Sequence, residues 1–375
     1  MPDSSFHGSY PPDDVTFLLQ PLAQAITVDV QEKERLIQSG ERHYSEMISP
    51  ERQPSVAYMQ LFERAWNSNA ERTAEDALRL AIMLHQSRQG EITLVSLARA
   101  GTPFGVILKR LLNSLFQRQV AHYSISIIRD RGIDTHALDL ILQAHAPGSI
   151  AFIDGWTGKG IINGELQQAI GRYNRTHAVH IDPSLWVIAD LAGVAEYSAS
   201  ASDYLIPSSI LNATISGLVS RSIMPSDSEP HALHGCLYFE QLKDVDVSLR
   251  FVEDLSSRAQ RLFAERFGHG APPPLPRQPM DKAGRKTQVD ALMARLMQTH
   301  KVSHINYIKP GIGESTRVLL RRAPGLLLLS AQARDADIAH LHRLAEDKNV
   351  PVTTLTDLFP YQSIAIIQDV RHDRT

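Results

Sequence analysis

The 375-residue sequence has a single cysteine, Cys236. A lone thiol excludes a disulfide framework within the chain and a cysteine-rich zinc site. Long apolar runs are also missing. The longest, around Gly325 to Leu329 and Ser363 to Ile367, fall far short of the roughly 20 residues that a bilayer span needs. The N-terminus has no basic stretch followed by an apolar one, so no secretory signal or membrane partner is expected, and the cytoplasm is the expected compartment. Neither charge sign dominates: the net charge is −3. Contact with nucleic acid must therefore come from a local basic patch, not from the field of the whole molecule. What is present is ordinary for a globular chain, with 43% hydrophobic and 21% charged residues. At roughly 150 residues per domain, the length suits two or three domains.

Residues 1–40 read as an N-terminal arm that begins polar and Pro-rich (Tyr10-Pro11-Pro12-Asp13-Asp14). Residues 41–267 read as one α/β domain. Ser45 to Ala70 reads as loop and helix, and residues 73–87 carry an apolar helical stripe. Ile92 to Leu97, Tyr123 to Ile128 and Ser149 to Ile153 have the composition of strands, as do Ala178 to Ile181 and Leu185 to Ile188. Between them, Phe104, Ile107, Leu108 and Leu111 recur at helical spacing, with Pro103 suited to a first helical turn. Ile162, Leu166, Ile170 and Tyr173 recur likewise. Strands alternating with helices predict a parallel sheet with helices on both faces. Residues 268–288 are Pro/Gly-rich and read as a semi-rigid linker. Residues 289–375 suffice for one small α-β-α domain.

In an open parallel sheet, ligands bind where strands end and helices begin. Two such junctions carry unusual residues. One is Ser96-Leu97-Ala98-Arg99-Ala100-Gly101-Thr102-Pro103, where free N–H groups at a helix start favour an anion and Arg99 adds a planar cation. The other is Phe152-Ile153-Asp154-Gly155-Trp156-Thr157-Gly158-Lys159-Gly160, whose glycines let backbone approach a phosphate. It is no P-loop, since only two residues separate Gly155 from Gly158, where four are needed. A dinucleotide fingerprint starting at Gly158 lacks its third glycine, because Asn163 stands there. Two ordinary strand-to-helix turns are the bland alternative.

Phe152 to Gly160 resembles the ribose-phosphate loop of type I phosphoribosyltransferases, and Leu97 to Gly101 resembles their pyrophosphate loop. More closely, Ser96 to Pro103, Tyr123 to Asp134 and Phe152 to Gly160 resemble a bacterial family found with tellurium-resistance and stress genes. That family pairs a type I phosphoribosyltransferase-like domain with a Pelota-type RNA-binding domain, and the resemblance covers most of residues 7–370. It implies a magnesium-dependent phosphoribosyltransferase that binds phosphoribosyl pyrophosphate or a related nucleotide. Asp154 and Arg99 would be its catalytic pair, with Asp154 touching the ribose hydroxyls and holding Mg2+ through water. Thr157, Gly158, Lys159 and Gly160 would cradle the 5′-phosphate. Ala100 and Gly101 would join Arg99 on the pyrophosphate, and Arg129 and Arg131 would close over it. The enzymes usually show two adjacent acids and a longer spacer, whereas here Gly155 follows a single Asp154.

Pro230-His231-Ala232-Leu233-His234-Gly235-Cys236 clusters two histidines with the only thiol. A thiolate beside a histidine is a nucleophile, and members of the resembling family are sometimes labelled cysteine proteases under the name StiP. Cys236 with His234 is thus the alternative catalytic pair. The same three side chains suit a metal, and a packed core cysteine is the bland alternative. Asp203 to Ile206 reads as a strand that runs into a Ser/Thr/Asn-rich turn.

Ile305 to Arg317 reads as strand, glycine turn and helix start. The turn resembles that of Pelota and the kink-turn-binding ribosomal proteins, with Gly313 where those carry Asn. It implies RNA contacts from Lys309, Gly311, Gly313, Glu314, Arg317, Arg321 and Arg322. A dimerising domain with a solvated basic face is the alternative. The sequence leaves a homo-oligomer open, and with it a non-catalytic nucleotide or RNA sensor.

Overall fold

Two apolar runs, Ile92-Thr93-Leu94-Val95 and Ile150-Ala151-Phe152-Ile153, are buried at every position. That is the signature of central strands in a parallel sheet covered on both faces. The computed structural model describes residues 6–224, 232–268, 270–277 and 280–368. It begins with β1 (Thr16–Leu18), β2 (Gln20–Pro21), β3 (Ile26–Thr27), α1 (Val30–Ser39), β4 (Met47–Ile48) and α2 (Val56–Ser87). Then come β5 (Ile92–Ala98), α3 (Thr102–Phe116), β6 (Val120–Ile128), β7 (Gly132–Ile133), α4 (Thr135–Leu142), β8 (Ile150–Thr157) and α5 (Ile161–His177). β9 (Leu185–Asp190), β10 (Tyr197–Ser200), β11 (Gly235–Cys236) and α6 (Ser248–Phe267) complete the N-terminal part.

Numbered from β5, the sheet β7-β6-β5-β8-β9-β10 has the order 3-2-1-4-5-6, and β7 alone is antiparallel. Side chains alternate between its faces. Leu94, Ile153 and Trp186 point into a core built with α2, α3 and α6. Val95, Phe152 and Val187 point into another, built with α4 and α5. The order reverses between β5 and β8, a switch point that leaves a crevice at their carboxyl ends. Both glycine turns lie there.

The C-terminal part holds α7 (Lys282–Thr299), β12 (Ile308–Pro310), α8 (Ile312–Arg321), β13 (Pro324–Ser330), α9 (Asp335–Asp347), β14 (Val352–Leu355) and β15 (Ser363–Ile367). Its sheet runs β12-β15-β13-β14. Leu327 and Leu329 face α8 and α9, while Leu328 faces α7, which makes an α-β-α sandwich.

Several expectations needed correcting. The arm is not loose: β1 joins the sheet beside β6, with Thr16 opposite Tyr123. Residues 73–87 end a single 32-residue helix that starts at Val56, capped by Ser55. Ala178 to Ile181 is no strand, because Asn174 takes both backbone groups of Ile181 into side-chain hydrogen bonds. Asp203 to Ile206 is likewise irregular and leads into two short 3-10 turns. β8 continues through Thr157, so Asp154 sits within a strand and only Gly158 to Gly160 form the turn.

Candidate functional site

The carboxyl ends of β5 and β8 open into a cavity of about 510 Å3. β8 and its turn supply Asp154, Trp156 and Thr157 to Gly160, and Ala100 comes from the end of β5. Arg129 reaches in from the β6–β7 loop, Lys33 and Glu34 from α1, and Tyr44 and Arg221 from loops. The far wall is the C-terminal domain, through Tyr307, Lys309, Glu314, Arg317 and Arg322. Among the described residues, seven basic side chains thus face three acidic ones.

The sheet places the two turns against each other. A Cβ on Gly101 would lie 2.3 Å from the Ile153 carbonyl oxygen, so only glycine fits. Gly160 has φ +86°, and a Cβ there would meet Val194 at 2.7 Å. The Thr157 hydroxyl donates to the buried carboxylate of Asp190 at 2.5 Å. Lys159 turns across the gap and donates from Nζ to the carbonyls of Ile305 (2.7 Å) and Ile308 (2.6 Å). Tyr361 donates to the Gly158 carbonyl at 2.7 Å. The turn expected to cradle a phosphate is therefore stitched to the C-terminal domain.

Arg129 lines the cavity and lies over the Tyr44 ring, 4.8 Å from its centroid. Arg131 points elsewhere, to Glu46 and the Met224 carbonyl. Arg99 does not line the cavity but turns to Asn212 and the Val219 carbonyl. Burial pushes the Asp154 carboxyl up to about 7, against the opposing pull of the Gly155 N–H and Arg317. Among the described residues, no group of three or more His, Cys, Asp or Glu side chains is placed to hold a metal ion, so the magnesium expectation stands on Asp154 alone.

The seven residues expected to meet RNA all face the N-terminal part. Gly311 packs on Leu191 and Asp203, and Gly313 on Ser209. Asp203 caps α8, accepting from Ile312 N–H at 2.9 Å, and also accepts from Gln362 N–H at 2.8 Å. Arg321 donates to Tyr58 and the Ile210 carbonyl, and Arg322 pairs with Glu34. Glu314 and Arg317 pair with each other at 3.1 Å. Beneath them, Leu61, Leu205 and Ile210 share one apolar core with Ile312, Val318 and Leu319. Each such side chain stabilises the docking by roughly 1.5–3 kcal/mol.

Sequence reasoning missed Lys33, Glu34, Tyr44, Arg221 and Asp203. None stands in a recognisable motif, and each reaches its place through long-range packing. Lys33 is held near 7 by burial and by Arg221 and Arg322, and Lys309 near 8 by burial and by Arg322 and Arg129. Both lie below the ordinary lysine value, so the unfolded chain binds more protons above them. Stability is therefore expected to rise from about pH 7 to pH 9.5, by about 2 kcal/mol after solvent screening. Urea unfolding at the two pH values checks this; a flat or falling profile would contradict it. Lys309→Met should remove part of the rise.

Cys236 is fully buried on β11, which pairs with β2, and the Leu22 N–H donates to its carbonyl at 2.8 Å. Burial pushes its thiol up to about 12. His234 does not reach the sulfur: its Nδ1 meets Ser126 Oγ at 2.7 Å, and its backbone N–H donates to the Asp134 carboxylate at 2.7 Å. Burial holds its imidazole below the ordinary value. His231 lies outside the described residues. At neutral pH the thiol is protonated and inert in this arrangement.

Residues 8–256 match the family described as tellurite-like stress resistance cysteine protease StiP. The chain belongs to that StiP family. It is 40% identical over 373 residues to the protein named "Cysteine protease StiP" from Acinetobacter baylyi, spanning 97% of this chain and 94% of that protein. Residues 287–369 match the PELOTA RNA binding domain, so the C-terminal sandwich is Pelota-like. No solved structure matches the chain. Membership of StiP overturns the transferase expectation: the family and the relative are both named for cysteine protease activity, not phosphoribosyl transfer. Phosphoribosyl pyrophosphate as substrate falls with it. Among the described residues, no helix is long and apolar enough to cross a membrane.

Proposed function

We propose that this protein is a cysteine peptidase of the StiP type, held latent by burial of its nucleophile, Cys236. One observation carries the reading: the family is described as a cysteine protease, and this chain contains a single cysteine. If the description applies here, no other thiol is available. His234, two residues before it and fixed by Ser126 and Asp134, is the nearest general base in sequence. Catalysis then requires β11 to part from β2, so that the thiol meets solvent and a base. The test is hydrolysis of a fluorogenic casein by the full chain and by Cys236→Ala. Loss of at least a hundredfold in Cys236→Ala is expected, the scale seen when a nucleophile is removed. Equal hydrolysis by both would end the proposal.

The inert thiol favours a second reading, an RNA-binding regulator without peptidase chemistry, supported by the match of residues 287–369 to the PELOTA domain. Under it, RNA meets the C-terminal turn only after the domains separate, because the turn is covered by Asp203, Ser209 and Glu34. Cys236→Ala would then be silent and RNA affinity would rise in variants that loosen the docking. The finer likeness to the type I phosphoribosyltransferase fold rests on the 3-2-1-4-5-6 strand order and the two glycine turns, and concerns architecture alone.

A further inference from the structure

Neither Cys236 nor His234 lines the cleft at the strand ends. His234 lines a separate groove of about 490 Å3, within the range of ligand sites. The β6–β7 turn, β7, the start of α4, one face of α5 and the stretch leading into β11 wall it. Most of its charged groups are already matched. Arg131 pairs with Glu46. The Asp134 carboxylate accepts from the backbone N–H groups of Ala137 at 3.1 Å and His234 at 2.7 Å. Tyr173 donates to Asp139 at 2.5 Å, and His177 stacks on Tyr173 with Asp139 3.9 Å away. His136 is half-buried on the same wall. Arg172 differs from the rest. Among the described residues, no hydrogen bond, ion pair or ring contact takes up its guanidinium. That group reaches from α5 over Gly132, where a Cβ would lie 3.4 Å from Nη2. Gly132 has φ +85° and keeps that side of β7 bare. An unmatched guanidinium offers parallel N–H donors, the geometry that grips a carboxylate in two places.

We infer that this groove seats a peptide carrying an acidic side chain, Asp or Glu, with Arg172 holding its carboxylate beside His234. To call that peptide the substrate rests on the peptidase reading; the binding itself does not. One unmatched guanidinium suits one carboxylate. It does not suit a nucleic-acid strand, which brings a charge at every phosphate and seeks open ring faces. The ring available here, Tyr173, is covered by His177 at a centroid distance of 4.0 Å. A chain resting its acid on Arg172 passes His234, two residues before the thiol, so Arg172 would set which residue stands near the bond cleaved.

Fluorescence anisotropy of the full chain tests the inference with labelled probes: an alanine-rich peptide with one central Glu, its Gln and Lys counterparts, and a short single-stranded RNA. The Glu peptide should bind at least about tenfold more tightly than the Gln peptide, the scale of a charge-assisted hydrogen bond. Arg172→Gln should erase that preference, and Arg172→Glu should shift it to the Lys peptide. Arg175→Gln, exposed on the same helix outside the groove, and Lys309→Met, in the cleft at the strand ends, should both keep it. Arg172 is exposed, so thermal melts of its variants should match the parent. The inference is overturned if the Glu and Gln peptides bind equally, if the preference survives Arg172→Gln or is lost in Lys309→Met, or if RNA alone binds. The two readings fail separately. A Glu preference without casein hydrolysis keeps the groove and ends the peptidase reading, whereas Cys236-dependent hydrolysis with equal peptide binding ends the groove alone.

Discussion

Arg322→Ala is expected to destabilise the protein by about 2–3 kcal/mol and to loosen the docking of the C-terminal domain. Its partner Glu34 is 1% exposed; Arg322 meets Oε1, and Oε2 is buried without a hydrogen bond. Removing the guanidinium leaves a buried carboxylate short of its closest cation, which usually costs about 3–5 kcal/mol. Here the loss is smaller, because Lys33 and Lys309 stand close by and are themselves crowded by Arg322. Glu34→Gln in the Arg322→Ala background should recover most of the loss, because a neutral amide needs no cation. Urea unfolding of both single variants and the double variant, read as a cycle, isolates the pair. A loss below about 0.5 kcal/mol, as for an exposed ion pair, would show that the domains are not latched there.

The second large effect concerns Gly101. Gly101→Ala sets a methyl 2.3 Å from the Ile153 carbonyl oxygen and 3.0 Å from the Asp154 Cα, both on the central strand β8. Gly101 has φ −74°, so the clash is purely one of space. Backbone on both sides must move, and overpacking of this kind costs about 3 kcal/mol or more. Gly158→Ala, on the neighbouring turn, has its nearest contact at 3.9 Å and should change stability by less than about 0.5 kcal/mol. Thermal unfolding of the two variants side by side reads the difference. Equal tolerance would mean that the two turns are not pressed together at the switch point.

Much of the sheet was legible because it is built from local signals. The run at Ile150 is apolar at each position and the one at Ile92 at all but Thr93, and Pro103 and Gly101 mark a helix start. The misread strand at Ala178 failed because a single side chain, Asn174, overrode its composition. The cleft was half legible. Its floor, Asp154 to Gly160, carries a pattern. Its roof does not, because Lys33 and Arg221 are isolated cations with no spacing to mark them. The face of the C-terminal turn was the least legible. Basic residues near a glycine turn look alike whether they meet RNA or a second domain. Only the fold brings Arg322 to Glu34 across 288 residues, and Asp203 to Ile312 across 109. Cys236 shows the same limit: its neighbours in sequence suggest a reactive thiol, while its neighbours in space bury it.

Cys236 is proposed as a latent thiol that becomes the nucleophile only when β11 opens. This proposal is tested most directly by the rate at which iodoacetamide alkylates Cys236, followed by mass spectrometry, in the folded chain and in urea, and then during casein turnover. Labelling should be at least about a hundredfold slower in the resting folded chain than in urea at the same pH, faster during turnover, and accompanied by loss of hydrolysis in step with it. Rapid labelling of the resting chain at pH 6 would contradict the burial of the thiol, and hydrolysis that survives complete alkylation would contradict its role as nucleophile.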